Sequence, residues 1–252
     1  MENCDYFEAP SGRRLAYQQQ QGTGPGLVFL GGFKSDMLGH KAAYLSALAK
    51  KQGRAFLRFD YSGHGQSDGA FTEGCIGDWA TDTIDIVTAL TTGPQVIIGS
   101  SMGGWIALLL ARHMPERVCG LVGIAAAPDF TEDSMWDGFD ESQRAALLRD
   151  GQIELPSEYA GSPYIITRRL IEDGRRHLVL RAPLPLPFPV RLLQGTADAS
   201  VALSVPLRIV EQATGDDIRL TLVKGADHSF STPECLALVE ATLADISPGA
   251  WR

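Results

Sequence analysis

The 252-residue sequence lacks long apolar runs and any excess of positive charge. A transmembrane helix needs about 20 consecutive apolar residues, whereas the apolar stretch from Trp105 to Ala111 is followed at once by Arg112 and His113. The net charge is −8, and no run of Lys or Arg exceeds two residues. Binding to a phosphate backbone needs a concentrated basic face. We therefore expect neither an integral membrane protein nor a nucleic-acid partner.

Closely spaced cysteines are also absent. The four cysteines, Cys4, Cys75, Cys119 and Cys235, form no C-x-x-C pair, which is typical of free thiols in a reducing compartment. The first residues carry neither the basic region nor the apolar stretch of a signal peptide, so we expect a cytoplasmic protein. No pair of histidines has the spacing of metal ligands, and we expect neither a metal nor a cofactor.

Apolar runs of strand length alternate with helix-like stretches from Leu27 onward. This pattern predicts βαβ units around a mostly parallel central sheet that is flanked by helices. The predicted parallel strands are residues 27–30, 55–59, 96–98, 118–124, 190–193 and 218–223, and the predicted helices are residues 41–50, 75–90, 102–113, 201–213 and 233–246. Residues 6–9 and 13–19 flank a Pro-Ser-Gly turn and predict an antiparallel hairpin at one edge of the sheet.

Residues 129–189, here called the inserted segment, interrupt this alternation. We predict that residues 1–128 and 190–252 form the core and that the inserted segment forms a helical lid, with helix-like stretches at 141–149 and 164–177. Alternating prolines make the stretch 182–189 extended. Ligands of open α/β sheets bind at the carboxyl ends of the strands, which is where this segment would lie. A purely structural appendage is the alternative.

A candidate nucleophile lies between a predicted strand and a predicted helix. Residues 99–103 read Gly-Ser-Ser-Met-Gly and fit the pattern G-x-S-x-G, directly after the β-branched run at 95–98. A serine on such a sharp strand-to-helix turn is lifted clear of the sheet. Ser101 is therefore the predicted nucleophile, and Ser100 is its structural neighbour.

A serine hydroxyl is a weak nucleophile until a base takes its proton. Where the serine lies on such a turn, the acid and then the histidine follow it along the chain. His228, in the loop after the last predicted strand, is the predicted base, because His177 lies in a charged stretch of the inserted segment. Asp198, in a turn after the preceding strand, is the predicted acid that orients the imidazole. Asp129, which follows an earlier strand, is the alternative acid.

Two backbone amides are predicted to bind the oxyanion. The Met102 amide lies at a helix N-terminus, where N–H groups point at developing negative charge. The Phe33 amide follows two glycines at the end of the first parallel strand, where the second donor is expected. A further Gly-rich loop, residues 60–67, has no P-loop lysine, and we expect it to brace the site rather than to bind phosphate.

Several stretches resemble one family. They are residues 58–63, 93–95, 99–105, 155–159 and 191–195, together with the Asp198 turn and the Gly-x-Asp-His loop that contains His228. Along nearly its whole length the sequence resembles the α/β-hydrolase superfamily and, within it, the abhydrolase-domain acyl-protein thioesterases, which also cleave acyl glucuronides. The resemblance implies the α/β-hydrolase fold, with Ser101, Asp198 and His228 as nucleophile, acid and base.

The residues and the resemblance together predict a serine hydrolase. It would cleave acyl esters or thioesters through an acyl-serine intermediate. The acyl group of the substrate would be carried by a small molecule or by a protein. Acyl transfer, C–C hydrolysis and perhydrolysis use the same three residues and stay alternatives, whereas a noncatalytic small-ligand receptor would need no base. We expect Trp136, Tyr159 and Tyr164 to line the substrate site, with packing on the body as their alternative role.

Overall fold

A mostly parallel sheet organises the computed structural model, which describes residues 4–155 and 163–246. The strands are β1 (Asp5–Glu8), β2 (Arg14–Gln20), β3 (Thr23–Leu30), β4 (Arg54–Phe59), β5 (Gln95–Ser100), β6 (Val118–Ile124), β7 (Gln152–Leu155), β8 (Tyr164–Thr167), β9 (Val190–Gly195) and β10 (Ile218–Val223). The main sheet has the order β1-β2-β4-β3-β5-β6-β9-β10. The β1–β2 hairpin is its antiparallel edge, and the other strands run parallel. The predicted fold class is confirmed.

Helices cover both faces of this sheet. They are α1 (His40–Lys51), α2 (Ile76–Leu90), α3 (Met102–His113), α6 (Ser204–Gln212) and α7 (Pro233–Ile246), while α4 (Glu141–Asp150) and α5 (Arg168–Gly174) belong to the inserted segment. Because side chains alternate along a strand, Val28 and Leu30 of β3 pack into one core with α2 and α3. Leu27 and Phe29 pack into the opposite core with α1 and α7.

The inserted segment is mixed in structure, so the prediction of a helical lid is only partly right. It contains a π-helical turn at Thr131–Trp136, then α4, the antiparallel pair β7–β8, and α5. The predicted helix over 164–177 is wrong at its start, where the residues Tyr-Ile-Ile-Thr form β8, because aromatic and β-branched side chains favour strands. Thr167 then caps α5 by accepting a 3.1 Å hydrogen bond from the Leu170 amide.

Asp129, the first residue of the inserted segment, ties the start of this segment to its later residues 179–181. Its side chain is fully buried, and its carboxylate accepts hydrogen bonds from the amides of Val179 (2.8 Å) and Leu180 (3.0 Å). Arg181 adds an ion pair at 3.2 Å. The carboxylate of Asp129, the alternative acid for His228, is therefore engaged in this clamp, and the choice between it and Asp198 stays a prediction. None of the helices within residues 4–155 and 163–246 is long and apolar enough to cross a bilayer.

Candidate active site

Ser101 occupies a strained turn between β5 and α3. Its backbone has φ 54° and ψ −121°, a left-handed region that residues other than glycine avoid. The turn also forces close backbone approaches: a Cβ at Gly99 would lie 2.3 Å from the Gly103 carbonyl oxygen, and a Cβ at Gly103 would lie 2.1 Å from that of Leu30. Only glycine fits at these two positions, which explains the spacing of the motif.

The structure brings together the three residues that the sequence pattern selected. The Ser101 hydroxyl lies 3.1 Å from Nε2 of His228, and Nδ1 of the same ring lies 2.9 Å from Oδ2 of Asp198. The Asp198 side chain is fully buried, and that of His228 is 17% exposed. In the tautomer with Nδ1–H donating to Asp198, Nε2 is an acceptor that faces the Ser101 hydroxyl.

Two loops converge to make this contact. The loop after β9 carries Asp198 and the loop after β10 carries His228, and these strands are parallel neighbours, so both loops leave the same edge of the sheet. The loops are tied to each other, since the Gly225 amide donates to the Thr196 hydroxyl at 2.9 Å and the Ala197 amide donates to the carbonyl of Ala226 at 3.0 Å. The parallel pairing of β9 with β10 thus places Asp198 and His228 side by side.

The Asp198 carboxylate is held in its ionised form. Burial raises its pKa, but hydrogen bonds from His228 and from the amides of Val201 and Ser200 outweigh burial and lower the pKa below its ordinary value. Oδ1 accepts both amides, at 2.9 and 2.8 Å. An ionised carboxylate at this place stabilises the imidazolium that forms when His228 takes a proton.

Gln194 is a site residue that the sequence reasoning did not assign. Its Nε2 donates to Oδ2 of Asp198 at 2.8 Å, the same oxygen that faces His228. The side chain is 1% exposed, and its Oε1 is buried with no hydrogen-bond partner among the described residues. Its only signal in the sequence was its place in the 191–195 stretch that resembles the family.

We expect Gln194→Leu to lower kcat/KM about 10- to 100-fold, because a hydrogen bond to a charged group contributes about 1.5–3 kcal/mol and about 1.4 kcal/mol corresponds to a factor of ten. The melting temperature should stay nearly unchanged, since the same substitution removes a buried oxygen without a partner. Steady-state kinetics and thermal melting on one preparation check both parts. A large fall in melting temperature with unchanged kcat/KM would make Gln194 a packing residue only.

The two predicted oxyanion donors lie beside Ser101. Met102 is the first residue of α3, and N–H groups in the first turn of a helix have no partner within the helix. A Cβ at Gly32 would lie 3.4 Å from the Cβ of Ser101, so the backbone next to Phe33 approaches the nucleophile closely. The geometry is consistent with both amides as donors, and their role stays a prediction.

The loop 60–67 contacts the loop that carries Phe33. Asp60 accepts hydrogen bonds from the Met37 amide at 2.6 Å and from the Gln66 amide at 2.9 Å. Burial raises the pKa of Asp60 to about 6, although these amides act to lower it. The bracing role expected for this loop therefore has a physical basis in contacts between the two loops.

A cavity of about 560 Å³ opens above Ser101 and His228. Its apolar lining residues include Phe29, Phe33, Phe130, Met135, Tyr164 and Val201. Its polar lining residues include Ser35, Asp36, His40, Lys41, Ser200 and Ser229. The cavity can therefore accept a ligand with an apolar part and a polar part.

The predicted substrate residues have different outcomes. Tyr164 lines the cavity, in line with the prediction. Trp136 does not line it: its ring packs against Phe139 and lies beside the guanidinium groups of Arg144 and Arg175. The prediction for Trp136 is corrected, because the π-helical turn points Ser134 and Met135 into the cavity instead. Tyr159 lies outside the described residues.

No group of three or more His, Cys, Asp or Glu side chains within residues 4–155 and 163–246 lies close enough to hold a metal ion.

Comparison with known proteins agrees with the fold. Residues 27–157 match the family described as alpha/beta hydrolase fold. Palmitoyl-protein thioesterase ABHD10, mitochondrial, from Rattus norvegicus is 35% identical over 96% of this chain and 81% of its own length. The Homo sapiens protein of that name is 32% identical over 97% of this chain and 80% of its length.

Solved structures give the same result. A putative hydrolase from Agrobacterium vitis S4 superposes with a TM-score of 0.93 at 36% identity, covering 97% of this chain and 98% of the other. Alpha/beta hydrolase domain-containing protein 10 from mouse superposes with a TM-score of 0.90 at 33% identity, covering 96% of this chain and 97% of the other. The chain therefore belongs to the α/β-hydrolase fold family and is related, over nearly its whole length, to the ABHD10 branch of that family.

Proposed function

We propose that this protein is a serine hydrolase that cleaves acyl esters or thioesters through an acyl-enzyme formed on Ser101. The observation that carries the proposal is the continuous set of contacts from the Ser101 hydroxyl through His228 to Asp198, beside a cavity that is lined in part by apolar side chains. The names of the ABHD10 relatives, palmitoyl-protein thioesterases, support the same class of reaction.

In the first half-reaction Nε2 of His228 takes the proton of Ser101 as the hydroxyl oxygen attacks the acyl carbon. The negative charge that develops on the carbonyl oxygen is stabilised by the amides of Phe33 and Met102. When this intermediate collapses, the His228 imidazolium gives its proton to the departing alcohol or thiol. Asp198 holds Nδ1–H throughout and so keeps the ring in its productive tautomer.

In the second half-reaction a water molecule takes the place of the leaving group. His228 removes a proton from that water, and the resulting hydroxide attacks the carbonyl carbon of the acyl-Ser101 ester. The same two amides stabilise the second oxyanion, and the imidazolium returns the proton to the Ser101 oxygen as the carboxylic acid leaves. The acyl-enzyme and water thus yield the free enzyme and the carboxylic acid, and the proposed steps use no cofactor.

The inserted segment is proposed to act as the roof of the acyl site. Phe130, Met135 and Tyr164 belong to this segment and are among the apolar residues that line the cavity. Each buried methylene contributes about 0.8 kcal/mol of transfer free energy. We therefore propose medium or long acyl chains as substrates.

We expect kcat/KM to rise from acetyl to octanoyl by up to about fourfold per methylene, the factor that 0.8 kcal/mol provides, until the cavity is full. Tyr164→Ala and Met135→Ala should flatten this profile. Trp136→Ala is the matched control from the same segment, because its ring lies outside the cavity. The measurement is kcat/KM for acetyl, butyryl, octanoyl and palmitoyl esters and thioesters with each variant.

A profile that is flat for the wild-type protein would mean that the cavity does not bind the acyl chain. A steep profile that neither Tyr164→Ala nor Met135→Ala changes would place the acyl chain elsewhere in the cavity. Comparison of esters with thioesters of equal chain length gives the preferred leaving group.

The names of the relatives include the word mitochondrial, so the expectation of a cytoplasmic protein stays a prediction.

A further inference from the structure

The proposed mechanism leaves one buried histidine without a role. His64, in the loop after β4, is 3% exposed and does not line the catalytic cavity. Its ring contacts three aromatic rings edge to face, with centroid distances of 5.4 Å to Tyr61, 5.1 Å to Phe71 and 5.0 Å to Trp79. These contacts fix the plane of the imidazole and therefore the directions of its two nitrogen atoms.

Both ring nitrogens have backbone partners. Nδ1 lies 3.2 Å from the carbonyl oxygen of Ser62, and Nε2 lies 3.2 Å from the amide nitrogen of Lys34. A carbonyl accepts and an amide donates, so the ring carries its proton on Nδ1 and accepts at Nε2. Burial lowers the pKa of His64 to about 4, so the ring is neutral at neutral pH and keeps this acceptor.

The partner amide belongs to the residue directly after the predicted oxyanion donor. Lys34 has φ 58°, a left-handed conformation that persists in a residue other than glycine only when its surroundings hold it. The ring of Phe33 packs against two of the aromatic rings that contact His64, with centroid distances of 4.8 Å to Phe71 and 6.0 Å to Trp79. Ring contacts on Phe33 and the hydrogen bond at Lys34 thus restrain both sides of the Phe33–Lys34 peptide.

We propose that His64 is a positioning residue for the oxyanion hole: by accepting the Lys34 N–H, it holds the turn in which the Phe33 amide points at the substrate oxygen. This inference rests on the proposed function, because it concerns the transition state of acyl transfer to Ser101. His64 touches neither substrate nor the reacting atoms. It acts through the backbone of Lys34 alone, so its effect should appear where the oxyanion forms and not in ground-state binding.

Two amide variants separate the two hydrogen bonds of the ring. In His64→Gln the side-chain oxygen can replace Nε2 as the acceptor for Lys34, whereas in His64→Asn the shorter amide can replace Nδ1 as the donor to Ser62 and leaves Lys34 without its acceptor. Ser67→Ala is the control: its hydroxyl braces the same loop, at 2.6 Å from the Asp60 carbonyl and 2.8 Å from the Ala16 amide, without contacting Lys34.

The readouts are kcat and KM for an octanoyl ester, and the inhibition constant of an octyl trifluoromethyl ketone, whose adduct with Ser101 carries an oxyanion in the same hole. We expect His64→Asn to lower kcat about 10- to 100-fold, because displacement of a preorganised oxyanion donor has effects of this order. The inhibition constant should rise by the same factor while KM changes less than about twofold. His64→Gln and Ser67→Ala should keep kcat within about threefold of the wild type.

Equal losses in His64→Asn and His64→Gln, or a loss confined to KM, would overturn the inference. So would a fall in kcat that the trifluoromethyl ketone does not follow. Labelling of the wild-type protein by a fluorophosphonate is measured first: without an adduct on Ser101 and turnover of the ester, the proposed function itself fails. If the adduct and the turnover are both present but His64→Asn and His64→Gln behave alike, the inference about His64 is wrong and the proposed function stands.

Discussion

Replacing Ser101 with alanine is expected to lower kcat for acyl ester hydrolysis by about 10⁴-fold or more. The physical reason is that the Ser101 hydroxyl lies 3.1 Å from Nε2 of His228, which can take its proton. The proposed mechanism contains no other nucleophile with a base at this distance. A fluorophosphonate should modify the wild-type protein once, on Ser101, and should not modify Ser101→Ala. Peptide mapping by mass spectrometry and steady-state kinetics are the measurements.

Ser100→Ala is the matched control, because Ser100 is the adjacent hydroxyl and ends β5 rather than occupying the turn. This variant should keep the adduct on Ser101 and should keep kcat within about tenfold of the wild type. An adduct on Ser100, or full turnover by Ser101→Ala, would show that the nucleophile has been assigned wrongly. Circular dichroism of both variants establishes that the comparison is between folded proteins.

Asp198→Asn is expected to lower kcat by about 10⁴-fold while the protein remains folded. The asparagine keeps the size of the side chain, but it removes the charge that stabilises the His228 imidazolium, and its NH₂ group can favour the wrong tautomer of the ring. Because the Asp198 side chain accepts hydrogen bonds from Ser200 and Val201, a modest fall in melting temperature accompanies the loss of activity. Kinetics and thermal melting measure the two effects separately.

Asp129→Asn provides the opposite pattern. The carboxylate of Asp129 accepts hydrogen bonds from the amides of Val179 and Leu180 and pairs with Arg181. The NH₂ group of an asparagine at this position would point at one of these donors and could not accept from it. An unsatisfied buried group costs about 1–3 kcal/mol of unfolding free energy, so this variant should be less stable yet keep kcat within a few-fold. If Asp129→Asn abolishes turnover in folded protein and Asp198→Asn does not, the acid has been assigned wrongly.

The inserted segment shows where reasoning from local sequence was insufficient. Its aromatic residues were predicted to line the substrate site, and Tyr164 does so while Trp136 lies against Arg144 and Arg175. Helical periodicity cannot assign the face of a π-helical turn, because the extra residue per turn rotates every following side chain. Residues 164–167 were predicted as the start of a helix, but they form a strand because they pair with β7. A pattern along the chain does not show such a pairing.

Residues that act through another residue left little trace in the sequence. Gln194 lies in a buried strand and gave no motif, yet it donates to the same oxygen of Asp198 as His228 does. His64 lies in a loop that was expected to brace the site, but the partner that it braces, Lys34, is 30 residues away. Such contacts depend on which loops meet at the sheet edge, and a pattern along the chain does not contain that information.

By itself the sequence determined the strand–turn–helix around Ser101 and predicted the chain order of Ser101, Asp198 and His228 as nucleophile, acid and base. A glycine-bounded turn and the alternation of strands with helices are local properties of the chain. Only the tertiary structure decided which carboxylate reaches His228 and which side chains face the cavity. Ser101 and His228 are separated by 127 residues, and His228 and Asp198 by 30. Contacts over such distances follow from the packing of parallel strands β5, β9 and β10, which brings their carboxyl ends together irrespective of the sequence between them.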